Sequence, residues 1–329
     1  MALLQLENVA KHYRLHKSWL FGHEINRAVD GITFSVMAGE SFGIVGESGC
    51  GKSTLAGLIA MLEPVTAGKI FFQGEDLAVV TGSRRRAVRQ KIQIVFQDIY
   101  ASLNPRFSIG ETVSEPIANF DLHKAPGFPL QKRLDELLDM VELPKNMLNR
   151  YPAELSGGER QRVGIARSLA ANPRLILFDE ATSGLDVTLQ SQILRLLQRL
   201  KRELGLTYLF ITHNLQLLPW VTDRVGVMYL GKLVETIDSS ELAKARHPYT
   251  RSLLAATPVM HPRLRRGTKP VAAGEAVYSP KMAGCRFCPR CSEALPQCSE
   301  SEPGTVWLGE KHGIACHLTD FLPENGRCL

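Results

Sequence analysis

The chain has 329 residues, 44% hydrophobic and 22% charged, which excludes a wholly disordered protein and suits one large domain with an appendage. Its net charge of +6 includes the runs "SRRRAVRQK" (83–91) and "HPRLRRGTK" (261–269). No aromatic residues are interleaved with them as a base-stacking platform requires, so both read as solvated faces and nucleic acid is not an expected partner. No window nears eighteen consecutive apolar residues, and the N-terminus turns polar too soon for a signal peptide, so a soluble, cytoplasmic chain is expected.

In chain order, "LLQLENVAKHYRL" (3–15) and "RAVDGITFSVMAGESFGIVG" (27–46) alternate and break at glycine and aspartate as strands do. The second ends in an apolar strand that runs into a glycine loop. "KSTLAGLIAMLE" (52–63) has helical periodicity and stops before Pro64. Residues 98–165 are rich in helix signals and read as a helical insertion. "RLILFDE" (174–180) is a buried strand ending in two carboxylates, "LQSQILRLLQRLKREL" (189–204) an amphipathic helix, and "LTYLFITH" (206–213) another buried strand. Strand–helix alternation predicts an α/β fold around a parallel sheet with helices on both faces. After about residue 256 the composition shifts toward Pro, Gly, Arg and Cys. That divides a nucleotide-binding unit (1–255) from an extension (256–329), and no internal repeat suggests a tandem pair.

The glycine loop is "GESGCGKS" (46–53), a full match to G-x-x-x-x-G-K-[ST] placed after a strand and before a helix. Backbone N–H groups from Gly46, Glu47, Ser48, Gly49, Cys50 and Gly51, continued by Thr54 in the first helical turn, close on phosphate oxygens there. Lys52 reaches the β- and γ-phosphates and Ser53 holds Mg²⁺. Asp179 suits the same Mg²⁺, and Glu180 suits the attacking water, although the two could also cap the following helix. Gln97 sits where an amide can touch both Mg²⁺ and water, and His213 where it can meet a γ-phosphate. Alone, each is better read as structural. A second glycine pair, in "LSGGERQR" (155–162), has no evident role in a chain that already owns a phosphate loop.

Six of the seven cysteines (285, 288, 291, 298, 316 and 328) crowd the C-terminal end. In a cytosolic chain such a cluster is not a disulfide framework, so metal leads. Thiolates suit an iron–sulfur cluster or zinc equally, and reduced thiols packing a small extension is the remaining reading.

Taken in order, the phosphate loop, Gln97, "LSGGE", "LILFDE", "SGLD" (183–186) and "ITH" resemble the ATPase subunit of an ATP-binding-cassette (ABC) transporter over residues 1–255. The resemblance implies an ABC-type nucleotide-binding domain: a parallel sheet core, an antiparallel β subdomain and a helical subdomain. It also implies ATP and Mg²⁺ as ligands, with Glu180, His213 and Gln97 catalytic. In this family two ATPase domains pack head to tail, so Ser156, Gly157 and Gly158 would cover the ATP held by the partner's loop. Bare glycines suit such close approach to phosphate. Tyr13 matches the aromatic that stacks on adenine, and Asp186 falls in the loop linking the two sites. Ala181, Gly184 and Asn214 depart from the commonest family residues without removing a catalytic group.

"QKIQIVFQDIYASLNPR" (90–106), "GLTYLFITHNL" (205–215) and "HPYTRSLLAATP" (247–258) resemble the dipeptide, oligopeptide and nickel importers, most of all the dipeptide-importer ATPase subunit. That implies an ATPase energising import of dipeptides or oligopeptides, with nickel or another small solute as the alternative cargo. The implied assembly is a second ATPase subunit in a heterodimer, two membrane permeases and an extracytoplasmic binding protein. The chain would sit peripherally at the cytoplasmic face of the inner membrane. Cys285, Cys291, Cys298 and Cys316 follow a spacing that carries a [4Fe–4S] cluster in some members. Such a cluster would organise the extension without a role in hydrolysis. Two rivals are a soluble ABC ATPase acting on DNA or translation, which usually has paired domains or coiled-coil insertions, and a metal- or redox-sensing module, which would not need intact catalytic motifs.

Overall fold

A computed structural model describes residues 2–16, 23–124, 127–256 and 283–321. Strands β1 (Ala2–His16) and β2 (His23–Met37) pair antiparallel. With β4 (Ala67–Phe72) and β5 (Glu75–Asp76) they form a four-stranded sheet of order β2-β1-β4-β5. The main sheet contains β3 (Ser41–Val45), β6 (Ile92–Val95), β7 (Leu175–Asp179), β8 (Thr207–Thr212), β9 (Arg224–Tyr229), β10 (Lys232–Asp238), β11 (Thr305–Trp307) and β12 (Gly313–Ala315). Its order is β11-β12-β10-β9-β3-β8-β7-β6, and neighbours from β9 to β6 are parallel. β3, β7 and β8 are buried at every residue, the pattern of parallel strands covered on both faces.

Alternation along those strands feeds two cores. Leu177, Leu209 and Ile211 point into the core shared with the antiparallel sheet and with helix α1 (Lys52–Ile59). Phe178, Tyr208 and Phe210 point the other way and stack together, with ring centroids 4.8–5.6 Å apart. That second core is closed by the helical insertion, made of α3 (Ile99–Ser102), α4 (Ile109–Asn119), α5 (Leu130–Met140) and α6 (Gly157–Ala170), and by α7 (Val187–Leu204). The basic run 83–91 is helix α2 (Gly82–Lys91). Its arginines serve the chain itself: Arg84 pairs with Glu75, Arg86 with Asp121, and Arg85 and Arg89 donate to the Met61 carbonyl. The run 261–269 lies outside the described residues.

Two short helices follow β8 and β10: α8 (Leu218–Val221) and α9 (Pro248–Ala256). Beyond them β12 pairs with β10 through Glu235↔Ile314 and Thr236↔Gly313, so the extension continues the main sheet. Among the described residues no helix is long and apolar enough to cross a membrane. Because β3, β6, β7 and β8 run parallel, the segments after them emerge along one edge, where ligands of open α/β sheets bind. Residues 46, 97, 180 and 213 share that edge.

Candidate nucleotide site

The phosphate loop is pressed against the backbone behind it. A Cβ on Gly46 would stand 2.1 Å from the Met228 carbonyl. One on Gly51, where φ is +105°, would stand 1.9 Å from that of Ala28. Only glycine fits at either place. The Lys52 ammonium is buried inside the loop and donates to the carbonyls of Gly46 (2.8 Å) and Glu47 (2.9 Å). Gly231 N–H donates to the Cys50 carbonyl at 2.9 Å. The Cys50 side chain is buried, and burial raises its thiol pKa, which leaves it a packing group. Ser48, Gly49 and Ser53 are exposed at the mouth, and Thr54 is half-buried.

Ser53 Oγ donates to Asp179 Oδ1 at 3.2 Å. Burial, then the neighbouring Glu180, raises the Asp179 pKa, while Ser53 and Lys52 oppose the shift. Hydroxyl and carboxylate oxygens are hard donors, and a carboxylate destabilised in this way gains from a divalent cation, so the pair fits Mg²⁺. Glu180 takes a left-handed backbone conformation, φ +49°, while its N–H donates to Ile211 O at 2.8 Å. Such a conformation in a non-glycine residue costs about 1–3 kcal/mol and persists only where the surroundings enforce it. Here it aims the carboxylate at Ser183 Oγ (3.0 Å) and His213 Nδ1 (2.9 Å). Gln97 is exposed just past the end of β6. Tyr13 donates to Glu63 at 2.7 Å under the Lys11 ammonium, and the Thr54 hydroxyl near its phenol sets it beside α1.

The second glycine pair opens α6. Ser156 caps it, accepting from Glu159 N–H at 3.3 Å while Glu159 takes the Ser156 N–H at 2.8 Å. Gly157 is exposed. Gly158 is buried, and a Cβ there would stand 3.1 Å from Leu189 Cδ2. The family resemblance gives both glycines to phosphate approach, but Gly158 also has a packing reason inside its own chain. Asp186 is the N-cap of α7, its Oδ1 accepting from Leu189 N–H at 2.9 Å.

Residues 29–183 match the ABC transporter family, and 234–298 match the oligopeptide/dipeptide transporter C-terminal region. A probable peptide ABC transporter ATP-binding protein of Sinorhizobium fredii is 44% identical over 321 residues, covering 96% of this chain and 90% of its own. The chain belongs to this family of ABC transporter ATP-binding subunits. Among its relatives, the oligopeptide transport protein OppF of Salmonella typhimurium is 41% identical, covering 97% of both chains. The dipeptide transport protein DppF of Escherichia coli is 40% identical, covering 97% of this chain and 95% of its own. Among solved structures, the ABC cassette MJ0796 in a dimeric post-hydrolysis state with ADP and phosphate matches at a TM-score of 0.64 and 31% identity. The match covers 72% of this chain and 98% of that one. The ABC subunit is therefore an ATPase coupled to transport.

In this ABC subunit the cysteine-rich extension lies against the ATP site, a placement that sequence reasoning did not anticipate. Cys285, Cys288, Cys291, Cys298 and Cys316 line one small cavity with His247 and His317. Cys285 N–H donates to the Cys298 carbonyl at 2.8 Å, and Gly284 is so close to the Cys298 carbonyl that a Cβ would collide with it. Burial pushes the Cys285 and Cys316 thiols up to about 11, and raises Cys288 and Cys291 as well. Among the described residues, however, no three His, Cys, Asp or Glu side chains form a group able to hold a metal ion. The fold gathers the four expected ligands but does not array them as a ready metal site. Cys328 lies outside the described residues. Between the cysteines, Arg286 pairs with Asp30 and reaches the Leu230 carbonyl, Phe287 packs on Tyr229 and Tyr249, and Arg290 pairs with Glu47. The alternation of Cys with Arg in "GCRFCPRC" (284–291) is the only sequence sign of this double duty.

Proposed function

We propose that the ABC subunit energises import of dipeptides or oligopeptides as one ATPase of a heterodimer. Its partners in this reading are two membrane permeases and an extracytoplasmic binding protein, and it sits peripherally at the cytoplasmic face of the membrane. The observation that carries the ATPase half is the convergence on one sheet edge of the phosphate loop, the Ser53–Asp179 pair and Glu180 set against His213. Lys52 and the loop amides bind the triphosphate, except the Glu47 N–H, which the loop motif assigns to phosphate but which donates to Tyr249 Oη at 2.9 Å. Ser53, Asp179 and Gln97 would hold Mg²⁺, which when bound neutralises charge on the β- and γ-phosphates; the Ser53–Asp179 pair supports this, and Gln97 only by its position past β6. Glu180 accepts the proton of the attacking water as it closes on the γ-phosphorus, the bond to the β–γ bridging oxygen breaks and ADP leaves, and His213 holds the Glu180 carboxylate in position. The exposed Ser156 and Gly157 face outward, as a role on a partner's nucleotide requires.

A groove lined by Phe96, Glu115, Pro116, Phe120 and Arg167 opens beside Gln97, where β6 meets the helical insertion. It offers a permease segment one apolar wall and one charged rim, next to a residue that senses the nucleotide. Peptide cargo is supported by the relatives' names; their 41% and 40% identities do not separate oligopeptide from dipeptide. The subunit should co-purify with integral membrane proteins, and peptide-loaded binding protein should stimulate ATP hydrolysis in the reconstituted complex. Stimulation by nickel but not by peptide would replace the cargo, and a chain found only in the soluble fraction would remove the transport role.

A [4Fe–4S] cluster on Cys285, Cys291, Cys298 and Cys316 is the finer part of this reading. The shared cavity favours it, and the lack of a formed metal-holding group counts against it. Anaerobically purified protein should contain about four iron atoms per chain. Single Cys→Ser changes at those four positions should lose them, and Cys288→Ser should not. Stoichiometric zinc without iron would put zinc in its place.

A further inference from the structure

Glu47, the second residue of the phosphate loop, is held at three of its groups. Its carbonyl accepts from Lys52 at 2.9 Å, and its N–H donates to Tyr249 Oη at 2.9 Å. Its carboxylate takes both terminal nitrogens of Arg290, at 2.8 and 2.9 Å. Two of these three holders, Tyr249 and Arg290, come from the C-terminal part of the chain. The Arg290 pair has fork-to-fork geometry, in which direction as well as charge is fixed. Arg290 is itself anchored: it lies between Cys288 and Cys291, its guanidinium sits 5.8 Å from the Tyr229 ring centre, and it reaches Tyr229 Oη at 3.3 Å. Its side chain is 15% exposed, so water screens the pair only in part.

We propose that Arg290 is a positioning residue for the phosphate loop, which makes the cysteine-rich extension a working part of the ATP site. This rests on the reading of 46–53 as the ATP-binding loop. A triphosphate brings several negative charges against a loop that carries its own carboxylate at position 47. Unpaired, that carboxylate repels the ligand. It also competes for Lys52, which already lies on the Glu47 carbonyl and which the phosphates need. Paired with Arg290, it is neutralised and turned away from the loop's mouth, and the backbone N–H of residue 47 stays on Tyr249. The guanidinium touches no phosphate; it acts through Glu47.

The test compares ATP affinity, KM and kcat for the wild-type assembled complex and for Arg290→Gln, Arg290→Lys, Glu47→Gln and the Glu47→Gln/Arg290→Gln double variant. Arg290→Gln is expected to raise the ATP Kd and KM by about tenfold while kcat changes by less than about twofold, because the catalytic groups are untouched. Arg290→Lys, a point charge in place of a fork, should recover part of the loss. The double variant should bind ATP better than Arg290→Gln alone, since it has no orphaned carboxylate. A merely structural role for Arg290 predicts the opposite ranking, with the double variant no better than the single. Unchanged ATP affinity in Arg290→Gln, or that opposite ranking, overturns the proposal. If Arg290→Gln does not fold, the double variant and Arg290→Lys decide on the same criteria. A wild-type complex that binds no ATP overturns the loop reading and this proposal together; normal wild-type binding with unaltered variants overturns this proposal alone.

Discussion

Two glycine-bearing stretches open two helices in this protein, and they live in opposite surroundings. The phosphate loop is braced from behind by Met228, Ala28, Gly231, Tyr249 and Arg290, and its lysine is buried. The helix start at 156–158 is braced by its own capping box and by Leu185 and Leu189, with Gly157 open to solvent. Both present helix N-termini that favour an anion. In the function proposed above, a loop locked on every side but one is a half-site, and an open helix start covers a site on another chain. The difference teaches that glycine is required for two reasons: to let neighbouring backbone approach, and to let a ligand approach.

The largest effect should come from the group that belongs to the braced side alone. Glu180→Gln is expected to lower turnover by a factor of about 10²–10⁴ while ATP binding is retained. Its measurement is steady-state hydrolysis beside nucleotide affinity in the assembled complex, and near-normal turnover would end the assignment of Glu180 to the attacking water. Next comes the open side. Gly157→Asp should leave the subunit folded and able to bind ATP, yet weaken ATP-driven dimerisation by more than about tenfold through like charge at a γ-phosphate. Gly158→Asp should in addition lower the subunit's own stability by about 1–3 kcal/mol, because the side chain meets Leu189. Sedimentation with and without ATP, together with thermal melting, separates the two. A Gly157→Asp protein that dimerises like the wild type would break the comparison.

A further effect is read through acid. His247 is buried, and its Nδ1 accepts from Tyr249 N–H at 3.1 Å, so it helps to seat the tyrosine that holds Glu47. Burial pushes its pKa down to about 4, against an opposing pull from Glu235. The unfolded chain therefore binds this proton first, near pH 6.5. The stability that depends on neutral His247 is complete above that pH and is lost as the pH falls toward 4, amounting to about 3 kcal/mol in all. Urea midpoints should fall more steeply from pH 6.5 to 4.5 in the wild type than in His247→Gln, and parallel slopes would remove His247 from the loop's support.

Legibility followed locality. The phosphate loop, the Asp179–Glu180 pair and the buried strands were readable because each is set by contiguous residues whose spacing fixes their geometry. The helical character of this region was readable for the same reason, since α5 carries its apolar stripe in Leu134, Leu137 and Leu138. The second role of Gly158 was not, because Leu189 meets it only after α6 and α7 pack. Nothing in the sequence joins Arg290 to Glu47 or Arg286 to Asp30, which lie more than 200 residues apart. The cysteines were legible as a convergence and not as a geometry: spacing gathers thiols around a cavity, but packing decides whether three of them aim at one point.

The pairing of β12 with β10 gives the extension a second task. Without residues 313–315, β10 would stand as an open edge beside β9. An uncovered edge is a template for unwanted strands. The segment that closes it also delivers Arg290 to the phosphate loop on the way. One stretch of chain thus covers the β10 edge and braces the nucleotide loop, so its loss would cost both at once.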